Sequence, residues 1–323
     1  MARLDTEKLK SRRVELDLTQ KDLAEKSGVN LNTIKQIETD RSMTSAENIA
    51  AIAGVLGLKL EDVYFPDFRN TVVISIINNK GGCGKTSVTG GLGTGMAEAG
   101  KKVLLIDGDA QRNLSSSFDM PKSALHFGDA VLKEQDIQPY IQPTQWEGIN
   151  MVVGDVSMST LDMSLFTKIQ RENIVRNILR PVVEKGIYDY ILIDTNPTLS
   201  MLNFNIVNAS DYAIIPVQPA GFDVDGLGTV MDFIQGIRRY NDTVKIAGIA
   251  INRYDARNKL ISEASIAQLR ESYSDLLFDT VIHSDAKLQN AQWENRPVAD
   301  YSPSSRIARE YRSLTEEVMK RCR

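Results

Sequence analysis

The residues whose types and spacing are best suited to binding or catalysis lie at positions 79–86, where the chain reads Asn-Lys-Gly-Gly-Cys-Gly-Lys-Thr. Closely spaced glycines let backbone N–H groups approach and surround an anion such as a polyphosphate. Lys85 would reach the outer phosphates, and the hydroxyl of Thr86 would bind Mg²⁺. The plainer alternative is a glycine-rich turn whose lysines have no role in binding.

Three carboxylates follow apolar runs elsewhere in the chain. Asp107 and Asp109 come after residues 103–106, and Asp194 comes after residues 190–193. Carboxylates that directly follow buried strands would stand on loops at the same end of a parallel sheet as residues 79–86. The alternative for the segment with Asp107 and Asp109 is an ordinary acidic turn after a strand.

The elements that must position these residues are predicted from apolar runs that alternate with helical stretches. The runs, which read as buried strands, are at 71–77, 102–106, 150–153, 189–193, 211–217, 244–251 and 279–282. Such a pattern is typical of a parallel sheet covered on both faces, with phosphate-binding loops at the carboxyl ends of the strands. We therefore predict an α/β fold with a doubly wound, mostly parallel sheet, in which residues 79–86 join a strand to a helix at 87–99.

The helix predicted at 87–99 contains glycine at positions 90, 91, 93 and 95. Each glycine inside a helix costs about 0.5–1 kcal/mol relative to alanine. Close packing against the sheet or against a partner would explain them, and the sequence alone does not decide between the two.

In this context residues 80–86, KGGCGKT, resemble the deviant Walker A signature of the ParA/MinD group of P-loop ATPases. Asn79 stands where an ordinary P-loop has its first glycine, and Lys80 is the additional signature lysine. The resemblance implies that the chain binds ATP and Mg²⁺. It places the nucleotide at Lys80, Gly81, Gly82, Cys83, Gly84, Lys85, Thr86, Ser87 and Asn252, and the Mg²⁺ at Thr86, Asp107 and Asp194.

The same resemblance implies catalytic roles for Lys80, Lys85 and Asp109. Asp109 would orient or activate the attacking water. Lys80 would cross the interface of an ATP-dependent homodimer to the partner's phosphates, where a cation stabilises transition-state charge. Asn252 matches a position that contacts the adenine. The alternative for Lys80 is a solvated lysine at a turn.

Residues 1–66 are predicted to form a small all-α domain of short helices. Thr19 is a good N-cap for a helix at 20–27, Asp22 could complete a capping box, and Gly28 is suited to the left-handed C-cap. Asn30 then caps a helix at 31–39. Two short helices joined by a turn that contains glycine are the helix-turn-helix layout.

This segment resembles the Cro/repressor type of DNA-binding domain, with its core at Leu23, Ala24, Val29, Ile34 and Ile37. The resemblance implies that Gln20 touches a phosphate and that the major groove is contacted by Leu31, Asn32, Lys35 and Gln36. The alternative is a helix-turn-helix kept for dimerisation or protein docking. Residues 67–70 would be a short linker, and 71–323 the ATPase domain.

Near the C-terminus, Arg257 and Lys287 match basic positions that contact DNA without sequence preference in partition ATPases. The Pro-Arg-Asn that usually precedes the second of these positions is His283-Ser284-Asp285 here, so one expected arginine is missing. The alternative for these cations is a solvated helical face.

Amino-acid composition excludes several other classes of protein. The 323 residues are 42% hydrophobic and 25% charged, with a net charge of −4 and no apolar run of the ~18 residues that a membrane helix needs. Cys83 and Cys322 are the only cysteines, which excludes a disulfide framework and an iron–sulfur site within one chain. We expect a cytoplasmic, nucleoid-associated protein that does not bind membranes.

The leading hypothesis is an ATPase for plasmid or chromosome partition. It would dimerise on ATP, bind DNA, and hydrolyse ATP slowly until a ParB-like centromere-binding adaptor stimulates it. Its N-terminal domain would bind an operator and autoregulate the operon. The alternative hypothesis is a transcription regulator in which the ATPase is only a nucleotide-gated dimerisation switch.

Overall fold

The computed structural model describes residues 2–39, 43–66, 68–219 and 224–323, and this part of the chain divides into two compact units. The helical unit takes its residues from 1–69 together with 185–187. The sheet unit takes its residues from 70–184 and 188–323. Of the linker predicted at 67–70, Asp67 lies outside the described residues.

The helical unit contains the predicted short helices and a short antiparallel strand pair that the sequence did not indicate. Its elements are β1 (Arg3–Leu4), α1 (Thr6–Glu15), α2 (Gln20–Ser27), α3 (Leu31–Glu38), α4 (Ala46–Val55) and β2 (Tyr64–Phe65). The predicted core is confirmed, since Leu23, Val29, Ile34 and Ile37 are buried and Ala24 packs against them. Strands of two residues are too short to produce a detectable alternation of apolar and polar side chains.

The turn between α2 and α3 has the predicted caps. Thr19 and Asp22 exchange the hydrogen bonds of a capping box, and Gly28 adopts φ +72° as the C-cap of α2. The side chain of Asn30 accepts a hydrogen bond from the backbone N–H of Asn32 at 2.8 Å and so caps α3. These caps fix the angle between the two helices through local backbone hydrogen bonds.

The sheet unit alternates strands and helices through most of its length. Its elements are β3 (Val72–Ile76), α5 (Lys85–Glu98), β4 (Val103–Gly108), α6 (Asn113–Ser117), α7 (Phe127–Lys133), β5 (Gln142–Pro143), β6 (Ile149–Val152), α8 (Leu161–Phe166), α9 (Ile174–Lys185), β7 (Tyr190–Thr195), α10 (Met201–Asn208), β8 (Tyr212–Val217), α11 (Val224–Ile237), β9 (Lys245–Tyr254), α12 (Lys259–Tyr273), β10 (Leu277–His283), α13 (Ala286–Trp293), α14 (Val298–Tyr301) and α15 (Arg306–Arg321).

Among the described residues, eight strands form one sheet in the order β10-β9-β8-β3-β7-β4-β6-β5. Every neighbouring pair is parallel except β5 and β6. The predicted doubly wound, mostly parallel fold is therefore confirmed. The order puts β3 next to β7 and β7 next to β4, so the carboxyl ends of three motif-bearing strands meet at one edge.

Both faces of the sheet are covered, which is why its central strands are apolar throughout. Side chains of β3 alternate between two cores: Ile74 and Ile76 pack with α5 and α15, whereas Val73 packs with α7, α8 and α9. Burial on both faces stabilises the sheet mainly through the hydrophobic effect.

Packing within the chain explains three of the four glycines of α5. A Cβ at Gly91 would clash with the ring of Tyr311, and one at Gly95 would clash with Thr315, both on α15. A Cβ at Gly93 would lie 2.8 Å from Leu105 of the sheet. The helix is therefore in close contact with α15 on one side and with the sheet on another. Gly90 is the exception, since its Cβ would lie at an ordinary 3.5 Å from Phe118.

None of the helices in the described ranges combines the length and the apolar character that crossing a bilayer requires.

Candidate functional site

The loop between β3 and α5 has a backbone conformation that requires glycine. Gly82 and Gly84 adopt φ +73° and +94°, in the left-handed region where a Cβ is unfavourable. A Cβ at Gly84 would also overlap with the side-chain amide of Asn252. Gly84 is the N-cap of α5, so the loop ends at the positive end of a 14-residue helix. This arrangement suits an anion on chemical grounds.

Lys85 is the first residue of α5 and is only 7% exposed. Its ammonium donates a hydrogen bond to the carbonyl oxygen of Lys80 at 3.2 Å. A buried ammonium is costly unless it is paired or hydrogen-bonded. A phosphate oxygen would offer this ammonium a stronger, charge-assisted partner than a backbone carbonyl does.

Two of the predicted carboxylates lie side by side beneath the loop. Asp107 of β4 and Asp194 of β7 are register partners on adjacent strands, and both are fully buried. The Thr86 hydroxyl donates to Asp194 Oδ2 at 2.7 Å. The structure thus brings together the three residues that the sequence proposed as a metal site.

Burial and mutual repulsion disfavour two negative charges here. Burial, followed by the charge of Asp107, raises the pKa of Asp194 to about 8. Burial also raises the pKa of Asp107, although hydrogen bonds from Ser115 oppose the shift. A nearby divalent cation would relieve both effects. No cluster of three or more His, Cys, Asp or Glu suited to a metal occurs among the described residues. Mg²⁺, however, is commonly bound by one or two carboxylates plus substrate phosphates, which fits this donor set.

Asp109 lies apart from this buried pair, on the wall of an open cavity. It is half-buried, and its Oδ1 accepts the backbone N–H of Gln111 at 3.0 Å. The cavity measures about 560 Å³. Of the predicted nucleotide residues, it is lined by Gly81, Gly82, Gly84, Lys85, Thr86, Ser87 and Asn252, and also by Asp109. Its volume is in the range of small-molecule and cofactor sites.

The side of this cavity formed by β9 and β10 contains Asn252, which is 1% exposed. Its Nδ2 donates to the carbonyl of Cys83 at 2.9 Å, whereas its Oδ1 has no hydrogen-bond partner among the described residues. An unpaired buried acceptor is unfavourable. It would suit a ligand with an N–H donor, such as the amino group of a nucleobase.

Lys80 and Cys83 line a different opening. The second cavity measures about 290 Å³ and is lined by Asn78, Asn79, Lys80, Cys83, Val217, Gln218, Gly226 and Leu227. Lys80 is exposed, and its backbone N–H donates to the side chain of Asn78 at 2.9 Å. Lys80 and Cys83 are therefore the two predicted nucleotide residues that do not line the first cavity.

Three contributors to the site were missed by sequence reasoning. Asn78 shapes the start of the loop, because it also donates to the carbonyl of Pro216 at 2.7 Å. Ser115 holds Asp107 Oδ2 through its N–H at 2.8 Å and its hydroxyl at 2.6 Å. Arg253 donates to the carbonyl of Gly82 at 2.7 Å. Each lies near a motif in the sequence: Asn78 directly precedes Asn79, Arg253 directly follows Asn252, and Ser115 lies in α6, which follows the two carboxylates.

Of the residues proposed for operator binding, four lie on α3 and the fifth, Gln20, is the first residue of α2. Asn32, Lys35 and Gln36 are exposed, and Leu31 is half-buried. Gln20 differs from these residues, because its amide donates to Glu38 Oε2 at 2.8 Å. Glu38 in turn forms a two-point ion pair with Arg13, at 2.6 and 2.9 Å.

The basic residues proposed for non-specific DNA binding are both exposed, but they differ in their surroundings. Arg257 forms a two-point ion pair with Asp255, at 2.9 Å for both contacts. That pairing reduces the charge that Arg257 presents to a phosphate backbone. Lys287 lies in the first turn of α13, which is capped by Asp285.

Known proteins match both parts of the chain. A family model described as an AAA domain matches residues 71–246, and one described as a helix-turn-helix matches residues 9–63. Soj of Bacillus subtilis, a sporulation initiation inhibitor protein, is 31% identical over 76% of this chain and 97% of Soj. The chromosome partitioning protein ParA of Caulobacter vibrioides is 31% identical over 77% of this chain and 94% of ParA.

A solved structure also shares the fold of the sheet unit. The septum site-determining protein MinD of Pyrococcus horikoshii, complexed with Mg-ADP, matches with a TM-score of 0.63 and 27% identity. The match covers 77% of this chain and 96% of MinD. The chain therefore belongs to the ParA/MinD group of P-loop ATPases, and it carries a helix-turn-helix domain at residues 9–63.

Proposed function

We propose that this protein is a DNA partition ATPase that dimerises on ATP, binds DNA and hydrolyses ATP when an adaptor stimulates it. The observation that carries the proposal is the convergence of Thr86, Asp107 and Asp194 beneath a glycine loop at the N-terminus of α5. The relative ParA, which is named as a chromosome partitioning protein, supports partition as the process. In this proposal residues 1–66 are the DNA-binding domain, 67–70 the linker and 71–323 the ATPase domain.

ATP would bind in the 560 Å³ cavity, with its phosphates on the loop and its base beside Asn252. Mg²⁺, when bound, would neutralise phosphate charge. Thr86 would hold it directly, and Asp107 and Asp194 would act around it. Ser115 would keep the Asp107 carboxylate oriented. Asp109, on the cavity wall, would orient or activate the attacking water, and hydrolysis would be slow until the adaptor binds.

Lys80 would act in the partner subunit. Its position on a second opening, away from the cavity of its own chain, supports a role in trans. A cation delivered across an interface would couple dimerisation to the presence of the γ-phosphate.

DNA would be contacted in two ways. The exposed face of α3 would bind an operator through Asn32, Lys35 and Gln36, with Leu31 beside them and Gln20 on a phosphate. This binding would autoregulate the operon. The ATP-bound dimer would bind DNA without sequence preference through Arg257 and Lys287, and the protein would therefore be associated with the nucleoid. A ParB-like centromere-binding protein is the proposed adaptor.

The test is binding of a random-sequence DNA duplex to the full-length protein with ATP, with ADP and without nucleotide. Binding that appears only with ATP and falls steeply as salt rises would support the proposal. Equal binding in all three states would contradict ATP control of DNA affinity. Phosphate release measured in parallel tests the ATPase assignment directly.

A second candidate is a transcription regulator in which nucleotide binding only controls dimerisation. The ion pair between Arg257 and Asp255 favours it, because this pair weakens the non-specific DNA surface. This candidate predicts no binding to random DNA in any nucleotide state, together with operator binding that depends on ATP.

A further inference from the structure

We propose that Asn252 and Arg253 form a two-point clamp that holds the phosphate loop in its anion-binding conformation, with Arg253 as a positioning residue. The inference rests on the proposed ATP binding, because the loop is what receives the phosphates. Neither residue belongs to the glycine loop, since both lie at the end of β9.

The two side chains contact consecutive carbonyl groups of the loop. Arg253 Nη1 donates to the Gly82 oxygen at 2.7 Å, and Asn252 Nδ2 donates to the Cys83 oxygen at 2.9 Å. Among the described residues, the Arg253 guanidinium forms one hydrogen bond, and its acceptor is the Gly82 oxygen. The clamp therefore fixes two adjacent peptide groups from one side.

Neighbouring residues in a regular strand point to opposite faces, so two successive side chains do not normally reach the same loop. Arg253 departs from that rule, since its φ is +57°. The left-handed conformation is unfavourable for a residue with a Cβ, and it persists only where the surrounding structure enforces it. Here it turns Arg253 towards the loop that Asn252 already contacts.

Holding the carbonyl groups also directs the amide groups. In a trans peptide, the C=O of one residue and the N–H of the next point in opposite directions across one plane. The hydrogen bonds to the Gly82 and Cys83 oxygens therefore fix the direction of the N–H groups of Cys83 and Gly84. Donors fixed before binding lose less entropy when an anion arrives.

This positioning role differs from a direct contact between the guanidinium and phosphate. A neutral amide can donate to a carbonyl, whereas the attraction to a phosphate requires the positive charge. Arg253→Gln keeps a donor and removes the charge. Arg253→Ala removes both, and Arg253→Gly removes both and also relieves the backbone strain.

The experiment measures dissociation constants for ATP, ADP and AMP by competition against a fluorescent ATP analogue, with Mg²⁺ in excess. For Arg253→Ala we expect affinity for ATP and ADP to fall by about tenfold, because the loop loses one of the two hydrogen bonds that order it before the anion binds. AMP lacks the β-phosphate that the loop surrounds, so its affinity should change little. Arg253→Gln should retain most of the wild-type affinity. Arg270→Ala, an exposed position on α12, is the matched control.

Arg253→Gly separates positioning from stability. It should unfold at a temperature at or above that of Arg253→Ala but bind ATP equally weakly. Recovery of ATP affinity in Arg253→Gly would overturn the clamp, because relief of strain alone would then explain the loss. Wild-type affinity in Arg253→Ala would overturn it too, as would a loss in Arg253→Gln equal to that in Arg253→Ala. Failure of the wild-type protein to bind ATP would instead contradict the proposed function.

Discussion

The candidate nucleotide site and the exposed face of α3 differ in how deeply their polar side chains are buried. In the sheet unit, Asp107 and Asp194 are fully buried, and Lys85 is almost so. On α3, Asn32 and Lys35 are exposed to solvent. Buried charges are costly without partners, so the nucleotide site has a strong requirement for a matching cation and anion. Exposed polar groups remain hydrated, so they add little to the free energy cost of folding. They become selective only when a binding partner removes that water.

This difference predicts different responses to salt. Interactions between exposed charges are screened within about 8–10 Å at ordinary ionic strength, whereas buried pairs are screened much less. Nucleotide affinity should therefore change little between low and moderate salt, while DNA affinity should fall steeply. The predictions that follow test each side of the comparison, from the largest expected effect to the smallest.

The largest effect is expected for Asp109→Ala in the nucleotide site. Loss of the group that orients or activates water should lower the rate of ATP hydrolysis by about 10²- to 10⁴-fold. ATP binding and ATP-dependent dimerisation should persist, because Asp109 lies on the cavity wall and not in the loop. Phosphate release and light scattering measure the two outcomes, with the exposed Asp242→Ala as the control. Normal phosphate release would remove Asp109 from the mechanism.

Lys80→Ala tests whether an exposed cation beside the buried site acts in trans. The variant should bind ATP but remain a monomer, because the partner's phosphates would lose their cross-interface cation. Size-exclusion chromatography with light scattering in the presence of ATP reports the result. The exposed Lys122→Ala should dimerise normally. An undiminished ATP-dependent dimer would refute the proposed role of Lys80.

Asn32→Ala and Gln36→Ala test the exposed face of α3. Each should weaken binding to operator DNA, selected from a random pool with the wild-type protein, by about 1–3 kcal/mol. Neither should alter ATP turnover. The exposed Lys59→Ala, which lies outside α3, should bind operator as wild type does. Unchanged operator affinity in both α3 variants would favour a docking role for the helical unit.

The smallest effect compares two glycines of α5, the helix behind the phosphate loop. Gly91→Ala should destabilise the protein by about 1–3 kcal/mol, because its Cβ would clash with Tyr311. Gly90→Ala should stabilise it by about 0.5–1 kcal/mol, since its Cβ has ordinary contact distances and helix propensity improves. Urea denaturation measures both changes. Equal effects of the two substitutions would show that packing on α15 does not constrain this helix.

The fold was predictable from the sequence because its main elements carry local signals. The buried strand β7 and the capped helix α2 were placed to within two residues by apolar runs and capping residues. Strand β5 was not predicted, since it has two residues, Gln142 and Pro143, and no apolar run.

The loop of the candidate site was also predictable, since backbone amides and glycine spacing carry most of its chemistry. The supporting residues were not. Arg253 acts on Gly82 across 171 positions, and the partner of Gly91 is Tyr311 on α15. Such contacts depend on the tertiary fold and leave no local pattern. Arg257 and Asp255 are close in the sequence, but this proximity does not predict their ion pair, because an exposed arginine could pair with other acidic residues instead.

The packing of α15 on α5 has a consequence during synthesis. Arg312 of α15 holds Glu98 of α5 at 2.6 Å, and the two residues are 214 positions apart. On the ribosome, the helix that follows the phosphate loop therefore emerges long before the segment that covers its glycines. The buried core of the helical unit comes from residues between Leu4 and Val63, so all of it is synthesised before α15. The nascent chain would thus contain the whole helix-turn-helix domain before it contains the segment that completes the packing of α5.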